Sequence, residues 1–108
     1  MSGSAAQIEL TTSAQAIYTA PAGTKAQITA CDVFEKTGVN KTVTVYIVKS
    51  GDSTGTAATA VWTKTVNASD ALQITNLIGH VLRPGDAVHM LASANSAVNV
   101  RISVAEET

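Results

Sequence analysis

The chain has 108 residues, the size of one domain, and 45% of them are hydrophobic, which is enough to build a core without disulfides or metal. Charged residues make up only 14%, against about 25% in typical soluble domains. The net charge of −1 excludes the basic footprint of proteins that bind nucleic acid or anionic membranes, and no apolar run approaches the ~18 residues of a membrane span.

The composition and the spacing of turn residues predict an all-β fold. The sequence holds 15 Thr, 12 Val and 7 Ile against 5 Leu, and β-branched side chains suit a pleated sheet better than a helix. Turn signals recur at intervals of roughly ten residues, which is typical of a sandwich or barrel. The eight predicted strands span Gln7–Thr12, Ala16–Thr19, Lys25–Glu35, Thr42–Lys49, Ala60–Val66, Leu72–Ile74, Ala87–Ala92 and Val98–Val104. We expect a single-domain antiparallel β-sandwich, jelly-roll-like, whose strand order stays open between Greek-key and meander arrangements.

The third predicted strand changes the face on which its apolar residues fall. Ala26 and Ile28 alternate on one face, whereas Cys31 and Val33 are out of phase with them. A shift of one residue moves every later side chain to the other face, and an inserted residue produces such a shift. The pattern therefore predicts a β-bulge near Ala30–Cys31.

The fourth predicted strand has the cleanest alternation in the chain. Val43, Val45 and Ile47 fall on one face, and Tyr46 falls on the other with the threonines. This period of two predicts a strand whose successive side chains point to opposite faces of a sheet.

Turns and termini complete the organisation predicted from the sequence. Pro84-Gly85 suits a type II turn, in which Gly supplies the positive φ. The segment Ser50–Thr59 lacks large apolar residues and is expected to be an exposed, mobile loop. We expect residues 1–6 to form a flexible arm, residues 7–105 the sandwich domain, and residues 106–108 a short acidic tail.

No catalytic or metal-binding pattern is visible. His80 and His89 have no ligand-like spacing and are expected on the surface, and Cys31 reads as a small buried residue. No Gly-x-Ser-x-Gly elbow and no phosphate-binding glycine loop occurs. We therefore predict that the protein is not an enzyme and that it uses no cofactor and no metal.

The low charge is the most informative feature of the composition. Free-standing small domains usually keep a charged surface, whereas the outward faces here are mainly Thr, Ser, Asn, Gln and Ala. Such a surface fits a protein that packs against copies of itself or against a large partner. A plain soluble domain with a threonine-rich surface remains the alternative.

Several motifs resemble small β-sandwich virion proteins of tailed bacteriophages. The resemblance extends from Gln7 to Val104, and the end of the third strand departs from it by being more charged and aromatic. The motifs are Ile17-Tyr18-Thr19-Ala20-Pro21-Ala22-Gly23-Thr24, the strand Thr42–Val48 before Ser50-Gly51, Leu82-Arg83-Pro84-Gly85-Asp86, and Ser96–Val100.

This resemblance implies a capsid decoration or cement protein, made in the host cytoplasm and located on the phage head. Its expected partner is the major capsid protein or another virion protein, and it is expected to form a homo-oligomer without nucleic acid or membrane. The alternative is a tail, neck or fibre-associated module, which would bind a host surface glycan through an exposed Trp62 or Tyr46 or would bind another virion protein.

Candidate partner contacts come from the predicted arm, the end of the third strand, the loop after the fourth strand and one tryptophan. They are Ser2, Gly3, Ser4, Asp32, Phe34, Glu35, Lys36, Asp52, Ser53, Thr54 and Trp62.

Overall fold

The computed structural model describes residues 2–50 and 60–107, which fold into two antiparallel sheets. The strands are β1 (Ser2–Glu9), β2 (Gln15–Thr19), β3 (Lys25–Glu35), β4 (Lys41–Val48), β5 (Ala60–Val66), β6 (Ala71–Gln73), β7 (Val81–Leu82), β8 (Ala87–Ala92) and β9 (Val98–Glu107). A single turn of 3-10 helix, Thr75–Leu77, lies between β6 and β7. Across these residues no helix has the length and apolar character needed to span a bilayer.

The strand order is that of a jelly roll. Sheet I runs β1-β9-β3-β6, with β7 also paired to β3, and sheet II runs β2-β8-β4-β5. Only β4 and β5 are neighbours both in sequence and in a sheet, whereas a meander would pair successive strands throughout. The all-β sandwich predicted from the sequence is confirmed, and the strand order left open is settled in favour of the jelly roll.

The core lies between the two sheets and is built from inward-facing residues at every second position. The fully buried side chains with the largest volumes include Leu10, Ile28, Leu82, Met90 and Ile102. In β9, Val98, Val100, Ile102 and Val104 are buried in turn, while the residues between them are more exposed. Burial of this apolar face is the main source of stability in a sheet sandwich.

The bulge predicted in β3 is present. The pairing of β3 with β9 shifts register between Ile28 and Ala30, so Thr29 is the extra residue. Ala26 and Ile28 are buried before the shift, and Cys31 and Val33 are buried after it. The sequence pattern located this irregularity to within one or two residues.

The alternation predicted for β4 is present in the structure. Val43 and Val45 are buried in the core cluster, and Ile47 packs against it. The register shift between β4 and β5 comes from an extra residue in β5, Val61, while the pairing of β4 with β8 is unbroken. Tyr46 lies outside the core cluster, on the other face of β4 as predicted, but it is only 9% exposed, so its ring is not on the surface.

The sixth predicted strand corresponds to β6, and β7 is a further strand that the sequence pattern did not predict. β6 and β7 both pair with β3, at its two ends, and the 3-10 helix and a turn at Gly79 separate them. Gly79 has φ +88°, a left-handed conformation that glycine adopts without steric cost. The short β7 accounts for nine strands where eight were predicted.

Both ends of the described chain differ from the sequence-based expectation. β1 begins at Ser2, so residues 2–6 belong to a strand paired with β9 instead of forming a separate arm. β9 continues to Glu107, and the Tyr18 hydroxyl donates a hydrogen bond to the Glu106 carboxylate. The predicted loop beyond Ser50, including Asp52, Ser53 and Thr54, lies outside the described residues.

The predicted turn at Pro84-Gly85 connects β7 to β8. The Asp86 N–H donates to the Arg83 carbonyl at 2.9 Å, and Gly85 has φ +88° as a type II turn requires. The Asp86 carboxylate is buried and accepts a hydrogen bond from the Ser50 N–H at 2.9 Å. This carboxylate fastens the end of β4 to the turn.

Candidate assembly surface

β1 forms one edge of sheet I and is the longest edge strand described. Its eight residues pair with β9 in unbroken register, from Ser2 opposite Glu106 to Glu9 opposite Asn99. The sequence from Ser2 to Ile8 contains no charged residue and no proline. No described strand pairs with the other side of β1.

The register fixes which backbone groups of β1 point away from β9. The Leu10 N–H donates to the Val98 carbonyl at 2.8 Å, which makes these two residues a hydrogen-bonded pair. Hydrogen-bonded and non-hydrogen-bonded pairs alternate along an antiparallel ladder. The N–H and C=O groups that point outward from sheet I are therefore those of Gly3, Ala5, Gln7 and Glu9. Among these, the Glu9 carbonyl accepts a hydrogen bond from the Gln15 side chain at 3.2 Å.

The other described edges are modified in ways that oppose pairing with a further strand. β2 has a bulge at Ile17, and β5 has a bulge at Val61 and a charged residue, Lys64, within the strand. The remaining edge of sheet I consists of the short β6 and β7, with the 3-10 helix between them. Bulges, edge charges and short edge strands are the devices by which natural sheets avoid edge-to-edge association. β1 has no bulge, and its one charged residue, Glu9, lies at its end.

A groove of about 340 Å³ crosses the outer face of sheet I beside β1. Its lining includes a polar row made by Gln7, Arg101 and Asp32, which are register neighbours on β1, β9 and β3. Phe34 also lines the groove and is 43% exposed. The face next to the open edge therefore combines mixed polarity with one exposed aromatic ring.

The structure brings several predicted contact residues to this part of the molecule. Ser2, Gly3 and Ser4 lie in β1 itself, and Asp32 and Phe34 lie in the groove. Lys36 forms an ion pair with Glu9 at the end of β1. The pKa of Glu9 is lowered, chiefly by the hydrogen bond from Lys36 and next by a hydrogen bond from Ser96.

Glu35 is not available as a partner contact, because its side chain is completely buried. The carboxylate accepts hydrogen bonds from the N–H groups of Thr37 at 3.0 Å, Gly38 at 2.7 Å and Ser69 at 3.2 Å, and from the Thr37 hydroxyl. Lys41 Nζ lies 3.6 Å from it. Burial alone would raise the pKa of Glu35, but these hydrogen bonds outweigh burial and lower it to about 2. Glu35 therefore holds the turns after β3 and β5 together.

Trp62 is also buried and is not available as a partner contact. It is 8% exposed and belongs to the core cluster, while its neighbour Val61 is 44% exposed. Tyr46 is buried as well. The glycan-binding alternative needed one of these two rings on the surface, and neither ring is there to stack on a sugar.

The two histidines differ in their surroundings. His80 is exposed, as predicted. His89 is buried on the central strand β8, opposite Ala16 of β2 and Tyr46 of β4, so the prediction of a surface position is wrong. Its Nδ1 has no hydrogen-bond partner among residues 2–50 and 60–107, and burial lowers its pKa. Within the described part of the chain, no three His, Cys, Asp or Glu side chains are grouped so that they could hold a metal ion.

Comparisons with known proteins give a fold relationship only. No protein-family model matches the chain, and no curated protein matches it. A solved structure from work on Bacillus endospore appendages, described as a novel family of disulfide-linked pili, has a similar fold. The TM-score is 0.55 with 20% sequence identity, and the match covers 99% of this chain and 85% of that chain.

This finding corrects the function predicted from the sequence. The similar structure belongs to an endospore pilus and not to a phage head, so the prediction of a capsid decoration protein is wrong. The tail-module alternative receives no support from the comparison either. What this chain shares with the pilus protein is the β-sandwich fold.

Proposed function

We propose that this protein is a non-catalytic structural subunit that assembles with copies of itself into an extended polymer. The observation that carries self-assembly is the open edge of β1, which is long, uncharged from Ser2 to Ile8 and free of bulges. An edge of this kind is a template for pairing with another strand, and natural proteins usually suppress such edges. Main-chain hydrogen bonds across an added strand supply affinity in many assemblies.

The charge of the molecule supports assembly between copies. A net charge of −1 and a charged fraction of 14% leave little repulsion between identical subunits. A surface of this kind resists association poorly, because net charge away from zero is what keeps small domains apart. The low charge and the open edge favour the same behaviour.

The similar fold of an endospore pilus protein supports a polymer over a closed complex, because that protein is described as forming pili. The same description specifies disulfide linkage, and here the two proteins differ. Cys31, the one cysteine in the sequence, is fully buried, and burial raises its pKa to about 12. Subunits of the folded protein would therefore be held together by non-covalent contacts.

The test compares two variants that place the same charge on different edges. Gln7→Lys adds a positive charge to β1, and Thr65→Lys adds one to β5; both positions are exposed. Sedimentation velocity over a range of concentrations and negative-stain electron microscopy would report assembly. We expect the wild type and Thr65→Lys to form oligomers or fibres and Gln7→Lys to remain smaller. A wild type that is monomeric at every concentration would refute the proposal.

A further inference from the structure

The backbone geometry of β1 also identifies the strand that can complete its open side. We propose that β1 of one copy pairs antiparallel with β1 of a second copy, about a two-fold axis passing between the two Ala6 residues. This inference rests on the proposed function, because it names the first contact of the self-assembly. A second copy offers one edge without bulges, central charges or interruptions among its described strands, and that edge is again β1.

The register follows from the direction of the free backbone groups. Hydrogen-bonded pairs between two copies must join residues whose N–H and C=O groups point outward, namely Gly3, Ala5, Gln7 and Glu9. With the axis at Ala6, Gly3 faces Glu9 and Ala5 faces Gln7, so every outward-pointing residue of both copies is paired. With the axis at Ala5, Glu9 has no partner in β1 of the other copy, and with the axis at Gln7, Gly3 has none.

The charge distribution favours the same register. In it the two Glu9 carboxylates lie at opposite ends of the paired strands, each beside Lys36 of its own subunit. The segment between them, from Ser2 to Ile8, is neutral in both copies. Like charges directly opposite each other destabilise a strand pair, and this register contains none. The Gln15 side chain would release the Glu9 carbonyl to the incoming strand.

Pairing of an edge with itself has a defined product. The contact is isologous, so it closes after two copies and joins the two sheets I into one continuous sheet. The dimer would then be the repeating unit of the polymer, and growth beyond it would use a different surface.

Cysteine trapping tests the pairing and the register together. Residues of a non-hydrogen-bonded antiparallel pair have Cα atoms about 4.5 Å apart, which suits a disulfide. Ala6→Cys places two thiols opposite each other across the proposed axis, whereas Ala5→Cys, its neighbour and control, faces Gln7. We expect Ala6→Cys to give about tenfold more disulfide-linked dimer than Ala5→Cys under mild oxidation. The buried Cys31 does not compete.

A proline pair gives a non-covalent readout of the same geometry. Ala5→Pro removes an N–H that points away from β9, so the subunit keeps its fold and loses dimer formation. Ala6→Pro removes an N–H that β9 uses, so it lowers the unfolding temperature.

The possible outcomes separate this inference from the proposed function. Assembly of the wild type without an Ala6→Cys cross-link, or with a stronger Ala5→Cys cross-link, would overturn the β1–β1 pairing and leave self-assembly standing. A wild type that never leaves the monomeric state would overturn both.

Discussion

Replacing Gly85 with alanine tests how closely the turn before β8 is packed against the end of β4. Gly85 has φ +88°, and a Cβ added there would overlap Ser50 Oγ and lie 2.7 Å from Ser50 Cβ. A left-handed backbone costs a non-glycine residue about 1–2 kcal/mol, and overpacking costs about 1–3 kcal/mol. We expect Gly85→Ala to lower the free energy of unfolding by about 2–5 kcal/mol, the sum of both.

Gly23 provides a matched control for the backbone contribution alone. It has φ +76°, but an added Cβ there meets no atom within 4 Å. Gly23→Ala is therefore expected to cost only the conformational part, about 1–2 kcal/mol. Adding Ser50→Gly to Gly85→Ala removes the side chain that the new Cβ would overlap. The double variant should therefore recover the stability that Gly85→Ala loses beyond the loss in Gly23→Ala.

Urea unfolding followed by tryptophan fluorescence measures these changes, because Trp62 is buried in the core. In thermal unfolding, each kcal/mol corresponds to a shift of about 4 °C for a domain of this size. Equal losses in Gly85→Ala and Gly23→Ala, or no recovery with Ser50→Gly, would refute the packing argument.

Three further predictions concern buried titratable groups. The pKa of Glu35 is about 2 in the folded protein and 4.5 ordinarily, so on acidification the unfolded chain takes up the proton at a higher pH than the folded protein does. The free energy of unfolding should therefore fall as pH drops from about 4.5 towards 2. Glu35→Gln should be less stable at neutral pH and should lack this pH dependence. Burial lowers the pKa of His89, so stability should begin to fall as pH drops below 6.5, and thermal unfolding of His89→Gln should show a weaker dependence in that range. Burial raises the pKa of Cys31 to about 12, so a thiol reagent should label it in urea and not in the native protein; rapid native labelling would contradict the packing of β3.

The regular part of the fold is accessible from the sequence because sheet burial imposes a period of two. The phase change between Ile28 and Cys31 reveals the β3 bulge, and the turn at Pro84-Gly85 is recognisable from residue type alone. The errors occur where tertiary packing overrides the local pattern. Tyr46 lies on the face that the alternation of β4 predicts, outside the core cluster, but packing on that face leaves it only 9% exposed.

The candidate surface is harder to predict, because pairing depends on neighbours that are distant in sequence. Glu35 follows Cys31 and Val33 at every second position, so the alternation of β3 indicates that it is buried, as the structure shows. Its charge alone favours a surface position, and the prediction followed the charge. The small residues from Ser2 to Ala6 have the composition of a flexible segment. They form a strand because β9, which is distant in sequence, pairs with them. The sequence indicates a neutral segment at that position, and only the sheet order makes it an edge.

The central position of β9 in sheet I has a consequence for the order in which the protein can be built. β9 lies between β1 and β3, so β1 cannot join the sheet until β9, which comes much later in the chain, has been synthesised. Pairings between such distant segments form slowly, because the entropic cost of closing a long loop comes before the stabilising contacts form. Until β9 leaves the ribosome, both strands that flank it are exposed to other nascent chains. Chain termination before Val98 would therefore leave β1 and β3 each without the strand that joins them.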